Sequence, residues 1–159
     1  MTIKFQLDGS YKQKILINRK DASEDIRSEE CGTNASIIAK YERIRNDMIS
    51  FQRSFLKKPG LIADGRDMGT VVFSDSKIKI FLTADVDVRA KRRYKELKEK
   101  GINVSLAAVL SDMKIRDKQD KERKHGPLTM AHDSILVDST NKSIDIVVSE
   151  ILKYYENMY

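Results

Sequence analysis

Ile3, Phe5 and Leu7 alternate with Lys4 and Gln6, Asp8-Gly9 supplies a turn, and Ile15 and Ile17 resume the alternation. A period of two around a turn dipeptide predicts a β-hairpin. Asp21-Ala22-Ser23-Glu24 has capping-box spacing and predicts the start of a charged helical stretch. Ile37, Tyr41, Ile44, Met48, Phe51 and Phe55 then recur at spacings of four and three, one face of a long helix that should end near Pro59-Gly60. Beyond Gly60 the pattern changes. Leu61 to Ala63, Ile78 to Leu82 and Ile135 to Val137 are short apolar runs without polar alternation, read as strands covered on both faces. Helices are expected around Val86 to Lys100, Ser105 to about Lys124 and Ser143 to Tyr155, with Gly101 stopping the first. Strands alternating with helices imply an α/β fold with a parallel sheet, preceded by a small hairpin-plus-helix lobe.

Length and charge narrow this picture. The 159 residues suit one folding unit with an inserted lobe, and 40% apolar with 34% charged residues place the chain outside the disordered class. A net charge of +6 and a pI near 9.3 point to an anionic partner: a nucleotide, a nucleic acid or an acidic lipid surface. Cys31 is the single cysteine, so no intrachain disulfide forms and a reducing compartment fits. The first residues hold no apolar run of signal-peptide length, and nowhere is there a membrane-span run of about 18 apolar residues; the expected location is the cytoplasm.

Candidate chemistry begins in PGLIADGRDMGTVVF, Pro59 to Phe73. Gly60 and Gly65 have the spacing of a phosphate-cradling loop, but Leu, Ile and Ala between them are strand residues, and Arg66 and Asp67 stand where that loop needs Lys and Ser or Thr. The expected feature is instead a tight turn, made possible by Gly65, at the mouth of a buried strand. Arg66 there can fork onto a phosphate, and Asp64 and Asp67 can accept from a base amino group or face hydrated Mg²⁺. Arg116, Asp120 and Arg123 share one helical face, a charge fork suited to phosphate and ribose hydroxyls. Arg89, Arg92 and Arg93 form a third basic group. Taken singly, the turn is better explained as a surface turn stabilised by Asp and Gly and the helical set as a solvated, salt-bridged face, with surface solvation the plain reading of the third. His125 and His132 lack partners at metal-ligand spacing, and no Ser/His/Asp set or paired cysteines occur.

In order and spacing, PGLIADGRDMGTVVF, KIFLTADVDVRAKRR, IRDKQDKER and ILVDSTNKSID together resemble the bacterial cytidylate kinase family, with IRSEECGTNAS and YERIR similar to its monophosphate-binding lobe. The resemblance implies a P-loop nucleoside monophosphate kinase-like parallel sheet. Residues 1–58 would be a partial monophosphate-binding lobe and residues 59–159 the α/β core, with a helical lid over about 89–125. It implies phosphoryl transfer from Mg·ATP to CMP or dCMP. Ser36, Arg45 and Asp67 would recognise cytosine, Arg66 and Arg123 would hold the monophosphate, Arg116 and Asp120 the pentose. Asp64 would lie near Mg²⁺ through water, and Arg92 would belong to the lid over the ATP phosphates. Arg66, Asp64 and Arg123 form the implied catalytic set; nucleic acid and membrane are not expected partners.

One departure is large: the family's first strand and Gly-rich ATP loop have no counterpart, because no G-x-x-x-x-G-K-[ST] run occurs in the 159 residues. The sheet is therefore expected to be incomplete between the strand ending at Asp64 and that around Ile78 to Leu82. Its backbone groups would lack partners, unless a missing N-terminal P-loop segment completes it or the two strands pair directly. Little turnover is expected of this chain alone. The alternatives are a non-catalytic nucleotide-binding or regulatory remnant and, on charge alone, a basic RNA-binding module.

Overall fold

The computed structural model describes residues 2–7, 9 and 13–158, and the chain divides into two compact units, Met1–Met48 and Ile49–Tyr159.

In the first unit, β1 (Ile3–Leu7) and β2 (Gln13–Ile17) pair antiparallel with Ile3 opposite Ile17 and Phe5 opposite Ile15. The hairpin is as the alternation requires, although Asp8 of the expected turn lies outside the described residues. A third strand was not foreseen. Asn18 and Arg19 both adopt left-handed backbone (φ 49° and 69°), the conformation of a two-residue I′ turn, and return the chain as β3 (Lys20–Asp21) against Leu16 and Ile17. The capping-box reading of Asp21 to Glu24 needs correction. The Ser23 hydroxyl accepts from the Ile15 amide (2.9 Å) and donates to Asp21 (2.5 Å), so it fastens β3 to β2 instead of starting a helix. After a 3-10 turn at Asp25–Arg27, Ser28 is the cap of α1 (Glu29–Ile38), its hydroxyl accepting from the Cys31 amide.

The expected long helix is two helices, α1 and α2 (Glu42–Arg53), broken at Ala39 to Tyr41. The spacing of Ile37, Tyr41, Ile44 and Met48 is compatible with a continuous helix, yet all four are exposed, so no packing enforces one.

The second unit holds the parallel pair. β4 (Ile80–Thr83) and β5 (Ile135–Asp138) run in register from Ile80 opposite Ile135 to Thr83 opposite Asp138. Parallel strands need a crossover, supplied by α3 (Val86–Glu99) and α4 (Leu106–Glu122). Ala90, Leu97 and Val109 are the buried centre between these helices, with Val104, Leu110 and Met113 packed around them. Gly101, at φ +75°, ends α3 as expected, and Ser105 and Ser143 cap α4 and α5 (Ile144–Glu156) with hydroxyls that accept from Ala108 and Ile146. No helix among the described residues is long and apolar enough to cross a membrane.

Three readings fail here. Leu61 to Ala63 does not form a strand: the segment has no ladder partner among the described residues, and Ile62 is 99% exposed. Direct pairing with β4 does not occur either, since β4 pairs with β5 alone among the described strands. An apolar run becomes a strand only when neighbours accept its backbone hydrogen bonds. Leu82 and Leu136 are also not covered but 56% and 55% exposed, so the expected covering of both faces does not hold at these positions.

Candidate functional site

The second unit gathers its charged residues around α4. Asp120, in the last turn of α4, is buried and lies between two arginines: Arg66 Nε is 2.9 Å from Oδ2, and Arg123 Nη1 is 3.8 Å from Oδ1. The chain directly after α4 folds back on Asp120 through its backbone carbonyl. Arg123 leaves helical geometry, its Nε donates to the Gly126 carbonyl, and Gly126 at φ +56° turns the backbone so that the Leu128 amide donates to the Asp120 carbonyl (2.7 Å). Arg123 is therefore the residue capping α4 and not a member of its face. Its meeting with Asp120 comes from the turn. Arg116 stands half-buried one helical turn before Asp120.

A second ion pair fixes α4 against α3. Arg89 forks onto Asp117, Nη1 to Oδ1 at 3.1 Å and Nη2 to Oδ2 at 2.6 Å, while its Nε donates to the Ala84 carbonyl just past β4 (2.9 Å). The hydrogen bonding of Arg89 to the Asp117 oxygens, with the nearby charges of Arg89, Arg66 and Lys121, holds the Asp117 carboxyl below its usual range against the opposing effect of burial. Asp117 lies within IRDKQDKER, and sequence reasoning misses it. Its signal was there, because a residue three before Asp120 lies on the same helical side.

Arg66 and Asp67 follow the extended segment. Gly65 does not make the turn through left-handed backbone; a side chain there would meet Met68 Cγ at 3.0 Å, so the glycine permits close approach. Asp67 is buried and begins a π-helical turn at Met68–Val72, in which its carbonyl accepts from the amides of Val71 (2.9 Å) and Val72 (3.2 Å). Val72 is fully buried and anchors the turn. Asp64 is exposed.

Arg92 is engaged at the end of β5: it donates to the Ser139 hydroxyl (3.1 Å) and carbonyl (2.6 Å) and to the Lys142 carbonyl (3.5 Å). Arg93 pairs locally with Glu96 at 2.7 Å. In the first unit, Ser36 lies half-buried on α1, and Arg45 on α2 donates to the Ala39 carbonyl at 3.5 Å. Of the residues singled out from sequence, the structure thus brings Arg66, Asp120 and Arg123 together directly. Arg89 pairs with Asp117, one helical turn before Asp120.

Arg66 and Arg123 thus flank the buried Asp120 carboxylate through one contact each, and guanidinium groups are the side chains best suited to grip phosphate oxygens. A family model described as cytidylate kinase matches residues 1–157. A protein named cytidylate kinase from Aeromonas salmonicida is 46% identical over 156 residues, 98% of this chain and 67% of that relative. One from Pseudomonas aeruginosa is 46% identical over 149 residues, 94% of this chain and 65% of the relative. A third, from Nitrosomonas europaea, is 47% identical over 141 residues, 89% and 63% respectively. The chain belongs to the cytidylate kinase family. It spans about two thirds of the length of these relatives.

Proposed function

We propose that this chain carries the acceptor-nucleotide side of a cytidylate kinase, which transfers the γ-phosphoryl group of Mg·ATP to CMP or dCMP and releases ADP. The observation that carries the reading is the Arg66–Asp120–Arg123 cluster, two guanidinium groups held about one buried carboxylate. Phosphoryl transfer is governed by positioning and charge neutralisation, so a site of arginines with few acids matches its demands. Arg66 and Arg123 would hold the monophosphate, with Asp120 bridging the two guanidinium groups and presenting an oxygen to the pentose together with Arg116. Asp67, buried where its backbone starts the π turn, would accept from the cytosine amino group, with Ser36 and Arg45 supplying the lobe's share of base recognition. The helical region about 89–125 would serve as lid.

Asp64 is an exposed carboxylate, and no cluster of three or more His, Cys, Asp or Glu side chains that could hold a metal occurs among the described residues. That donor set fits Mg²⁺ held mainly by phosphate oxygens and water, with Asp64 reached through water. The ion would neutralise phosphate charge. Arg92 would reach the ATP phosphates by exchanging its Ser139 and Lys142 carbonyls for them. The ATP cradle itself would come from a P-loop segment outside these 159 residues, pairing beside β4, and the whole would work in the cytoplasm.

Calorimetric titration with CMP tests the acceptor site. Arg123→Ala is expected to weaken binding by more than about 1 kcal/mol, the scale of one lost charge-assisted hydrogen bond. Unchanged affinity removes Arg123 from the site. CMP-dependent ADP formation by the 159 residues alone should be slight, and robust formation would overturn the need for an added cradle.

A further inference from the structure

The turn that carries Asp67 is held from outside by a residue to which the proposed chemistry gives no part. A π turn closes wider rings than an α turn, is rare, and occurs mostly as single turns, frequently at functional sites. Here the Val72 amide closes on the Asp67 carbonyl (3.2 Å) and the Phe73 amide on that of Met68 (2.7 Å). The carbonyl of the same Val72 accepts from Arg53 Nε at 2.5 Å, and Arg53 Nη2 reaches Asp75 Oδ1 at 2.5 Å. Two peptides further on, the Ser74 carbonyl accepts from Lys79 Nζ (2.7 Å), a buried ammonium also paired with Asp133 (2.6 Å). Two cations thus grip the back of the turn.

We infer that Arg53 is a positioning residue for the base-reading carboxylate of Asp67, an inference that rests on the acceptor-site reading above. Arg53 acts on Val72 through its carbonyl, and Val72 acts on Asp67 through its amide, so a single residue links the guanidinium to the start of the turn. Asp75 orients the fork from the exposed side, while the Val72 arm does the positioning. Loosening this arm changes where the Asp67 carboxylate stands, and a misplaced acceptor serves a base with an amino group worse while leaving one with a carbonyl there unaffected. The consequence is a loss of discrimination.

The test compares CMP and UMP affinities by calorimetry, and amide exchange at Val71, Val72 and Phe73, in the 159-residue chain and in the variants Arg53→Ala and Asp75→Asn. Arg53→Ala should speed exchange in the turn and weaken CMP about tenfold, the equivalent of one charge-assisted hydrogen bond, with UMP unchanged. Asp75→Asn keeps the Val72 arm and should stay close to wild type in both readouts. Exchange unaltered by Arg53→Ala overturns the inference, and so does faster exchange with an unchanged CMP-to-UMP ratio, which would mean a structural role only. A wild-type chain that binds neither nucleotide overturns the functional reading itself, and the exchange comparison then decides separately whether Arg53 holds the turn.

Discussion

Replacing Asp117 by Asn removes the charge from the fork that joins α3 to α4 while keeping its volume. The wild-type carboxylate accepts two guanidinium hydrogen bonds, at 3.1 and 2.6 Å, from an arginine whose side chain is 31% exposed, and is itself 22% exposed. In Asp117→Asn one acceptor becomes an amino group facing a guanidinium N–H, donor against donor. Breaking a fully buried pair costs about 3–5 kcal/mol and losing an exposed one about 0.2–1 kcal/mol; partial exposure on both sides puts this pair between, near 1–2 kcal/mol. For a chain of this size that is a fall in Tm of about 2–8 °C, measured by thermal circular dichroism at neutral pH.

The pH dependence has a definite sign. The folded-state pKa of Asp117 is lowered, chiefly by the Arg89 hydrogen bond, so its contribution is complete above the unfolded-state value of about 3.9 and disappears as pH falls through the lower folded value. The difference between wild type and Asp117→Asn should hold steady at neutral pH and close under acid conditions. A cycle with Arg89→Met should return a coupling energy of the same order as the single effect. Equal melting temperatures at pH 7, or a gap that persists unchanged into strong acid, would refute the reasoning.

Other expectations are simpler to check. Gly101→Ala places a side chain at φ +75° with no heavy atom within 4 Å to clash, so backbone strain alone should cost about 1 kcal/mol in a denaturant melt. Arg19→Gly goes the other way: relief of the left-handed Arg19 at φ 69°, less the extra freedom of unfolded glycine, should stabilise the first unit by about 0.5–1 kcal/mol, visible as slower amide exchange in β2.

Much of the second unit was legible because its signals are local. The cap hydroxyls of Ser105 and Ser143 and the stop at Gly101 act within a turn of their own helices, and the apolar runs that became β4 and β5 lie between helices that must cross over. The hairpin of β1 and β2 was legible through its period of two. What failed depended on partners. Leu61 to Ala63 has the composition of a buried strand but lies outside the ladder, because hydrogen-bonding neighbours and not composition make a strand. Ile37 to Phe55 has the spacing of one helix but breaks at Ala39 to Tyr41, where exposed apolar residues supply no reason to continue.

The charged residues divide in the same way. By itself the sequence singled out Arg66, Asp120 and Arg123 as candidates, through their type, order and the resemblance of their motifs. Only the tertiary structure decided that Asp120 stands between the two arginines, that Arg89 and Asp117 lock α3 to α4, and that Arg53 holds the turn beginning at Asp67. Each of these contacts spans a turn or a long stretch of chain, from three residues in Arg123–Asp120 to 54 in Arg66–Asp120. Helical and strand periodicities reach a few residues along the chain, whereas charge pairs form wherever folding brings opposite groups within hydrogen-bond distance.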